Sequence, residues 1–243
     1  MKDSDAKKIL DKLQEDYNDI AESFSRTREK NWSEIYFLKD FVFNGDKILD
    51  VGCGNGRLFD IFNSKKIEYF GVDFSKKLIE IARRKYLPSI SSDKDTYSEK
   101  VFPTFIRVNA LNLPFEDNFF DQVFCIAVFH HIPSKKKRIE FLNEIRRVLK
   151  KHGEVHLTVW NLWTRKYVSK IFKEGIKKLF GKSKLDYCDV FIPFDKKRNR
   201  YYHCFRRSEL KKLFLESGFK IKEIKRLKRR KKKVNIYVRA VKQ

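Results

Sequence analysis

Acidic residues are scarce in this sequence. Against 56 Lys and Arg stand only 32 Asp and Glu in 243 residues, a formal charge of +24 at pH 7. A surplus of that size excludes a self-neutralising surface and makes a polyanion the first partner to consider. Cysteine is sparse as well. Cys53, Cys125, Cys188 and Cys204 form no C-x-x-C pair, so the pattern excludes a disulfide framework and predicts a reduced, intracellular setting, cytoplasmic or nuclear. Cys188, His203 and Cys204 match no ligand spacing, and no metal is expected. No apolar run is long enough to cross a bilayer and no basic-then-apolar leader is present, so no membrane partner is expected.

Glycine is also rare, nine in all, yet three fall within five residues at Gly52-Cys53-Gly54-Asn55-Gly56. Ile48, Leu49 and Val51 before them read as a short buried strand, and a helical pattern starts at Arg57. A turn that bends sharply and presses on a ligand has no room for Cβ, and the helix start beyond it offers free N–H groups to a polar or anionic group. Asp50, just ahead of the glycines, is placed to order the loop and reach an ammonium group. A second strand, Ile67 to Val72, ends in Asp73, placed to accept hydrogen bonds from both hydroxyls of a ribose.

Asp50-Val-Gly-Cys-Gly-Asn-Gly56 followed by Gly71-Val-Asp-Phe-Ser75 resembles the class I S-adenosylmethionine (SAM) methyltransferases. The spacing is G-x-G-x-G and not the dinucleotide G-x-G-x-x-G. The resemblance implies SAM as cofactor, held by Asp50, Gly52, Cys53, Gly54, Gly56, Asp73, Phe74, Asn109, Ala110 and Ala127. In such enzymes the position of Asn109 commonly touches the adenine amino group and is usually acidic; the Asn109 side-chain oxygen can still accept. Read without the resemblance, Asn109 has the alternative of a turn cap.

At this length one α/β domain is expected over 1–243. An amphipathic helix from Ser4 to Ala21 and a second from Trp32 to Phe43 make an N-terminal helical region, 1–44. Helix Arg57 to Asn63, strand Ile67 to Val72 and helix Ser75 to Tyr86 follow, then an exposed polar loop from Pro88 to Lys100. Further strands are predicted at Pro103–Val108, Phe119–Val128 and Glu154–Trp160, with a helix from Ser134 to Leu149. The alternation gives a doubly wound, mostly parallel seven-stranded Rossmann-like sheet with an antiparallel closing strand. Its chemistry belongs at the carboxyl ends of the strands, near Ala127 to His131. Residues 161–200 interrupt the pattern. Arg165 to Lys184 carries eight Lys or Arg and one Glu, a basic helix in an insertion over the active-site end. Ser208 is expected to cap a helix through Ser217. Strands Phe219–Leu227 and Val234–Val241 are joined through six cations, Lys228 to Lys233, and with the basic insertion these suit a phosphate-tracking stripe.

Tyr17-Asn-Asp-Ile-Ala-Glu-Ser-Phe-Ser-Arg-Thr-Arg28, Cys125-Ile-Ala-Val-Phe-His-His131, Asp189-Val-Phe-Ile-Pro193 and Arg200-Tyr-Tyr-His-Cys-Phe-Arg206 together resemble one family. It is the tRNA methyltransferases that convert wobble 5-carboxymethyluridine to its methyl ester, related to the methyltransferase domain of AlkB-homologue tRNA modifiers. Only Trp32 survives of the family's proline- and tryptophan-containing segment, and Asn235-Ile-Tyr237 stands where the family has tryptophan after asparagine. The resemblance implies tRNA as substrate and a small zinc-binding activator protein as heterodimer partner. Methyl transfer to a carboxylate is an in-line displacement that needs alignment and no general base. Arg26, Arg28, His130, Tyr202, His203 and Arg206 are the candidates to position it, with the tyrosines available to stack on the base. Two other readings share the glycine turn. A small-molecule SAM-dependent O- or C-methyltransferase has no use for the basic insertion, and a non-catalytic RNA-binding module has no use for Asp50 and Asp73.

Overall fold

The computed structural model describes residues 1–86, 102–195, 198–229 and 232–243. The expected loop from Pro88 to Lys100 and the tip of the basic hairpin lie outside them. Four central strands come first: β1 (Lys47–Val51), β2 (Glu68–Asp73), β3 (Thr104–Arg107) and β4 (Phe120–Ile126). After β5 (Leu149–Trp160), the strands β6 (Asp189–Pro193) and β7 (Asn199–His203) form a separate hairpin, and β8 (Phe219–Arg229) and β9 (Lys232–Lys242) return to the main sheet.

The seven-stranded sheet has the order β3-β2-β1-β4-β5-β9-β8. β1 pairs parallel with β2 and β4, β2 with β3, and β4 with β5, whereas β9 runs antiparallel to both β5 and β8. This is the expected doubly wound α/β architecture. The expected antiparallel closing strand is β9, which lies between β5 and β8.

Both faces are covered, as parallel strands require. On one face α5 (Lys135–Val148) and α7 (Arg207–Glu216) pack Phe141, Leu142, Ile145, Leu210 and Phe214 onto Val123, Val155 and Val238. Each such fully buried side chain contributes about 1.5–3 kcal/mol. The other face carries α3 (Phe59–Phe62), α4 (Lys76–Tyr86) and the 3-10 segment Ser33–Phe41. That segment was expected as an α-helix. Its buried residues Ile35 and Leu38 and the partly buried Phe41 recur at intervals of three, the period of the tighter helix.

Other boundaries shift for local reasons. The helix after Gly56 is reduced to Phe59–Phe62 because Phe59, Asp60 and Ile61 donate to carbonyls three residues back. Ser134 caps α5 by accepting from the Lys137 N–H at 3.2 Å. Ser208 caps nothing: α7 begins at Arg207 with extended Arg206 before it and no side-chain cap bond. Gly218, at φ +74°, ends that segment where a Cβ would press on Arg146.

Two polar residues of β4 have partners. Asp121 accepts from the Lys47 N–H at 2.9 Å and pairs with Lys150, while Gln122 meets His156 at 3.1 Å.

The first helical region is two helices, α1 (Asp3–Asp19) and α2 (Ala21–Arg26), broken at Ile20. Ala21, with Tyr17 and Phe24, packs on Leu78 and Ile81 of α4. Between β5 and β7, α6 (Arg165–Leu179) and the β6–β7 hairpin close over their own small cluster of Leu162, Ile171, Val190, Ile192, Tyr202 and Cys204.

Candidate active site

The glycine turn leaves β1 over the end of β2. The Gly52 and Cys53 N–H groups donate to the Val72 carbonyl at 2.7 and 3.0 Å. Gly52 has φ +76°, and a Cβ there would overlap the Val128 side chain. Gly54, at φ +58°, donates its N–H to Asp73 Oδ2 at 2.9 Å, and Ser75 donates to Asp73 Oδ1 at 2.9 Å. The two oxygens of Asp73 are thus oriented by backbone, each with acceptor capacity left for a ligand hydroxyl. Gly56 serves packing instead. A Cβ there would strike Phe105 and Tyr86, and it does not face the cleft.

Asp50 is buried at the root of the turn and accepts from Tyr69 Oη at 2.7 Å. Burial raises its pKa to about 7, partly offset by that hydrogen bond. Burial raises Asp73 to about 6, against the pull of the Ser75 and Gly54 N–H groups. Two buried carboxyls held near the point of ionisation suit a ligand that brings an ammonium and hydroxyl donors.

Asn109 and Ala110 from the end of β3, and Ala127 and Val128 from the end of β4, complete this half of the cleft. Asn109 Oδ1 takes the Leu111 N–H at 3.1 Å, so it caps a turn while lining the pocket. Ala127 sits at φ +61°, held by N–H bonds to the Thr158 carbonyl and hydroxyl at 3.1 and 3.0 Å. Left-handed backbone on a non-glycine residue is costly and concentrates at functional sites.

The other half is built from long-range partners. Tyr17 of α1, His131 after β4, Trp160 at the end of β5 and Arg200 of β7 all face the cleft, with Phe24 and Arg28 beside them. His131 Nδ1 lies 2.9 Å from the Tyr201 carbonyl. A carbonyl only accepts, so Nδ1 carries the hydrogen and Nε2 is the acceptor for Tyr17 Oη at 3.1 Å. Arg200 Nη1 in turn donates to Tyr17 Oη at 3.2 Å. Burial depresses the His131 pKa to about 4, against the Tyr201 hydrogen bond. The imidazole is therefore neutral at pH 7 and its lone pair is engaged.

Arg200 is 2 % exposed. Its guanidinium lies 3.4 Å from the Phe194 ring centroid and 4.4 Å from that of Tyr17. Its Nε and Nη2 have no hydrogen-bond partner, and no carboxylate among the described residues pairs with it. The cleft, counting its open mouth, has an empty volume of about 1280 Å³, enough for a nucleoside cofactor beside a base.

Of the residues expected to hold the cofactor, Asp50, Gly52, Cys53, Gly54, Asp73, Phe74, Asn109, Ala110 and Ala127 line this cleft. Of those expected to position the acceptor, only Arg28 does. His130 and Tyr202 do not line the cleft; they stack on each other at 5.3 Å, with Tyr202 also stacked on Trp160 and His130 tilted against it. Arg26 is exposed on α2, and Arg206 stacks outside on Trp163 at 4.1 Å.

His203 is corrected most clearly. Its Nδ1 meets Asp189 Oδ1 at 2.6 Å and its Nε2 meets Glu209 Oε1 at 2.7 Å, in a buried network with Arg138. It ties β7 to β6 and α7 and has no atom left for substrate. His131 lies in the stretch expected to face the substrate, whereas Tyr17, Asn55, Trp160 and Arg200 are the site residues that sequence reading passed over. The signal for two of them was present, since Tyr17 opens and Arg200 begins motifs that were singled out. No group of His, Cys, Asp or Glu among the described residues is arranged to hold a metal.

Comparison with known proteins places this geometry. Residues 49–157 match a family model described as a methyltransferase domain. A putative methyltransferase of Encephalitozoon cuniculi is 30 % identical over 207 residues, covering 84 % of this chain and 85 % of that protein. The frog (Xenopus tropicalis) tRNA (carboxymethyluridine(34)-5-O)-methyltransferase alkbh8 is 35 % identical over 161 residues, 65 % of this chain but only 23 % of the relative's length. Among solved structures, a SAM-dependent methyltransferase from Methanosarcina mazei superposes with TM-score 0.69 at 22 % identity, covering 88 % and 98 % of the two chains. The methyltransferase in a complex with the Haloferax volcanii Trm112 methyltransferase activator gives TM-score 0.63 at 17 % identity, covering 94 % and 96 %.

The glycine cradle, the two poised carboxyls and these likenesses agree, and the chain belongs to the class I SAM-dependent methyltransferases.

Proposed function

We propose that this enzyme methylates tRNA, and that its acceptor is the carboxylate of 5-carboxymethyluridine at the wobble position, which becomes a methyl ester. The names of the relatives support tRNA as substrate. The carboxylate acceptor is supported by one observation above all, the buried and incompletely paired guanidinium of Arg200 in the wall of the cofactor cleft.

A buried cation without a counter-ion is unfavourable by itself. An incoming carboxylate pairs with the Nε and Nη2 edge of a guanidinium in bidentate fashion. The bound cofactor supplies a methyl group on a sulfonium. The protein's contribution is to hold the carboxylate in line and to keep water out. Arg200 holds it, while Tyr17 and His131 fix Arg200. A carboxylate is ionised at neutral pH, so the neutral, engaged His131 is no handicap; an enzyme that had to remove a proton would need that lone pair free. The aromatic rings of Phe24 and Trp160 in the cleft wall suit a stacked base. By analogy of fold with the Haloferax volcanii complex, a small activator protein is proposed as partner; the expectation that it binds zinc goes with that proposal.

The test is transfer of labelled methyl from SAM to bulk tRNA, alone and with a candidate activator, followed by nucleoside analysis and mild alkali. Alkali-labile label on a uridine derivative is the expected result. Replacing Arg200→Gln removes one side of a buried charge pair, worth roughly 2–5 kcal/mol, and kcat/KM for tRNA falls at least thirtyfold with SAM affinity unchanged within about twofold. Alkali-stable label on tRNA would overturn the carboxylate acceptor, and absence of label on tRNA with SAM still bound would overturn the substrate.

A further inference from the structure

We propose that α6 is a docking helix for an anionic lipid surface. The helix has three faces. Ile171 points inward to Leu162, Val190 and Tyr202. Phe172, Ile176, Leu179 and Phe180, spaced by four, three and one, form a single outward stripe and are 60 %, 56 %, 72 % and 69 % exposed. Lys166, Lys170, Lys173 and Lys177, spaced by four, three and four, form a second stripe beside it. Glu174 is the one acidic residue of the helix, and Lys177 engages it at 2.8 Å.

The apolar stripe is not a frayed end. Gly181, at φ +68°, closes the helix with its N–H on the Lys178 carbonyl at 3.0 Å and the Lys182 N–H on the Lys177 carbonyl at 2.8 Å. This paired closure satisfies the last carbonyls and fixes the final turn, so Leu179 and Phe180 are held outward.

Four large apolar side chains in one exposed stripe require a partner, and the chemistry selects it. RNA phosphates would satisfy the lysines and leave Ile176 and Leu179 in water. A bilayer surface bearing anionic headgroups takes both stripes at once, the apolar one at the acyl boundary and the lysines among the headgroups. The contact is peripheral, since no helix among the described residues is long and apolar enough to cross a membrane.

The test is co-sedimentation of the full chain, with SAM present, with extruded vesicles of phosphatidylcholine alone or with about 30 % phosphatidylserine, in about 0.15 M salt. Binding to the anionic vesicles is expected to exceed binding to the neutral ones by at least about tenfold. The exposed-surface variant Phe172→Ser, Leu179→Ser, Phe180→Ser, checked by its melting temperature and SAM affinity, is expected to lose about tenfold of that binding. Lys170→Gln with Lys173→Gln is expected to lose a comparable share. The proposal fails if the wild type sediments with neither vesicle, or if the triple-serine variant binds anionic vesicles like the wild type. It also fails, in favour of an RNA face, if that variant loses tRNA affinity with vesicle binding unchanged.

Discussion

At the scale of single residues, the site is governed by groups whose charge depends on what occupies the cleft. Asp50 and Asp73 are raised by burial to about 7 and about 6, so at pH 6 the cofactor must displace protons from them. SAM affinity is therefore expected to rise with pH from about 5.5 to about 7.5, by up to about tenfold per unit for each coupled proton, and then to level off. Calorimetry in buffers of different ionisation enthalpy reads the proton release directly; pH-independent affinity with no release would show that the carboxyls are already ionised. Gly52→Ala places a Cβ against Val128 at φ +76°. Such strain costs about 1–3 kcal/mol, and because relief must push Val128 or the turn aside, SAM affinity is expected to fall at least tenfold, measurable by the same titration. Asp50, the glycines and Asp73 were legible in the sequence because each is dictated locally, by a turn that excludes Cβ and by a strand end. Arg200 was not. Its contact with Tyr17 spans 183 positions, and in a chain this rich in arginine one more gives no sign of being buried.

At the scale of elements, the β6–β7 hairpin is held by charge rather than by a deep core. His203 reads in the sequence like a ligand-facing histidine between aromatics, and nothing local distinguishes that from its actual surroundings. The distinction lies in Asp189, Glu209 and Arg138, the first two being 14 and 6 positions away. His203→Ala leaves those buried charges imbalanced and is expected to destabilise the protein by about 3–5 kcal/mol, seen as a lower denaturant midpoint. SAM affinity of the molecules that remain folded should be unchanged, because His203 does not reach the cofactor half of the cleft; a variant of normal stability that has lost SAM binding would contradict this placement. The 3-10 segment Ser33–Phe41 illustrates a different limit. Apolar residues three apart satisfy an α-helical pattern nearly as well as a 3-10 one, and only the backbone bonds three residues back, from the Ile35 and Val42 N–H groups to the Trp32 and Lys39 carbonyls at 3.0 and 3.3 Å, show which was realised.

At the scale of the whole molecule, buried titratable groups set the response to acid. His130, His131 and His156 are held neutral by burial, His131 at about 4 and His156 at about 3. Depressed histidines contribute stability that is present above about 6.5 and is lost as pH falls. Asp50 and Asp73 act in the opposite sense. Raised carboxyls contribute stability that is present below about 3.8 and is lost as pH rises through about 6 to 7. Near pH 5 the three histidines outweigh the two carboxyls by one proton, so the free enzyme should lose about 1.4 kcal/mol per pH unit on acidification. With saturating SAM the carboxyls are ionised and their compensation disappears, so the slope should steepen to about 4 kcal/mol per unit. Urea titrations between pH 4.5 and 6.5, with and without cofactor, measure both slopes, and equal slopes would refute the assignment. The general architecture was readable at this scale from alternating strands and helices. The interior position of β9 was not, since strand order in a sheet is not written in local periodicity.

That position bears on how the chain is made. β9 leaves the ribosome after both of its neighbours, so during synthesis β5 and β8 have no shared partner and the edge of β5 stays open. Ile236, Tyr237, Val238 and Ala240, all buried in the finished sheet, must be threaded into a gap that the rest of the fold has already framed. The nascent protein therefore carries an adhesive strand edge until β9 arrives, and whatever binds that edge first, a chaperone or another nascent chain, decides whether the enzyme matures or aggregates.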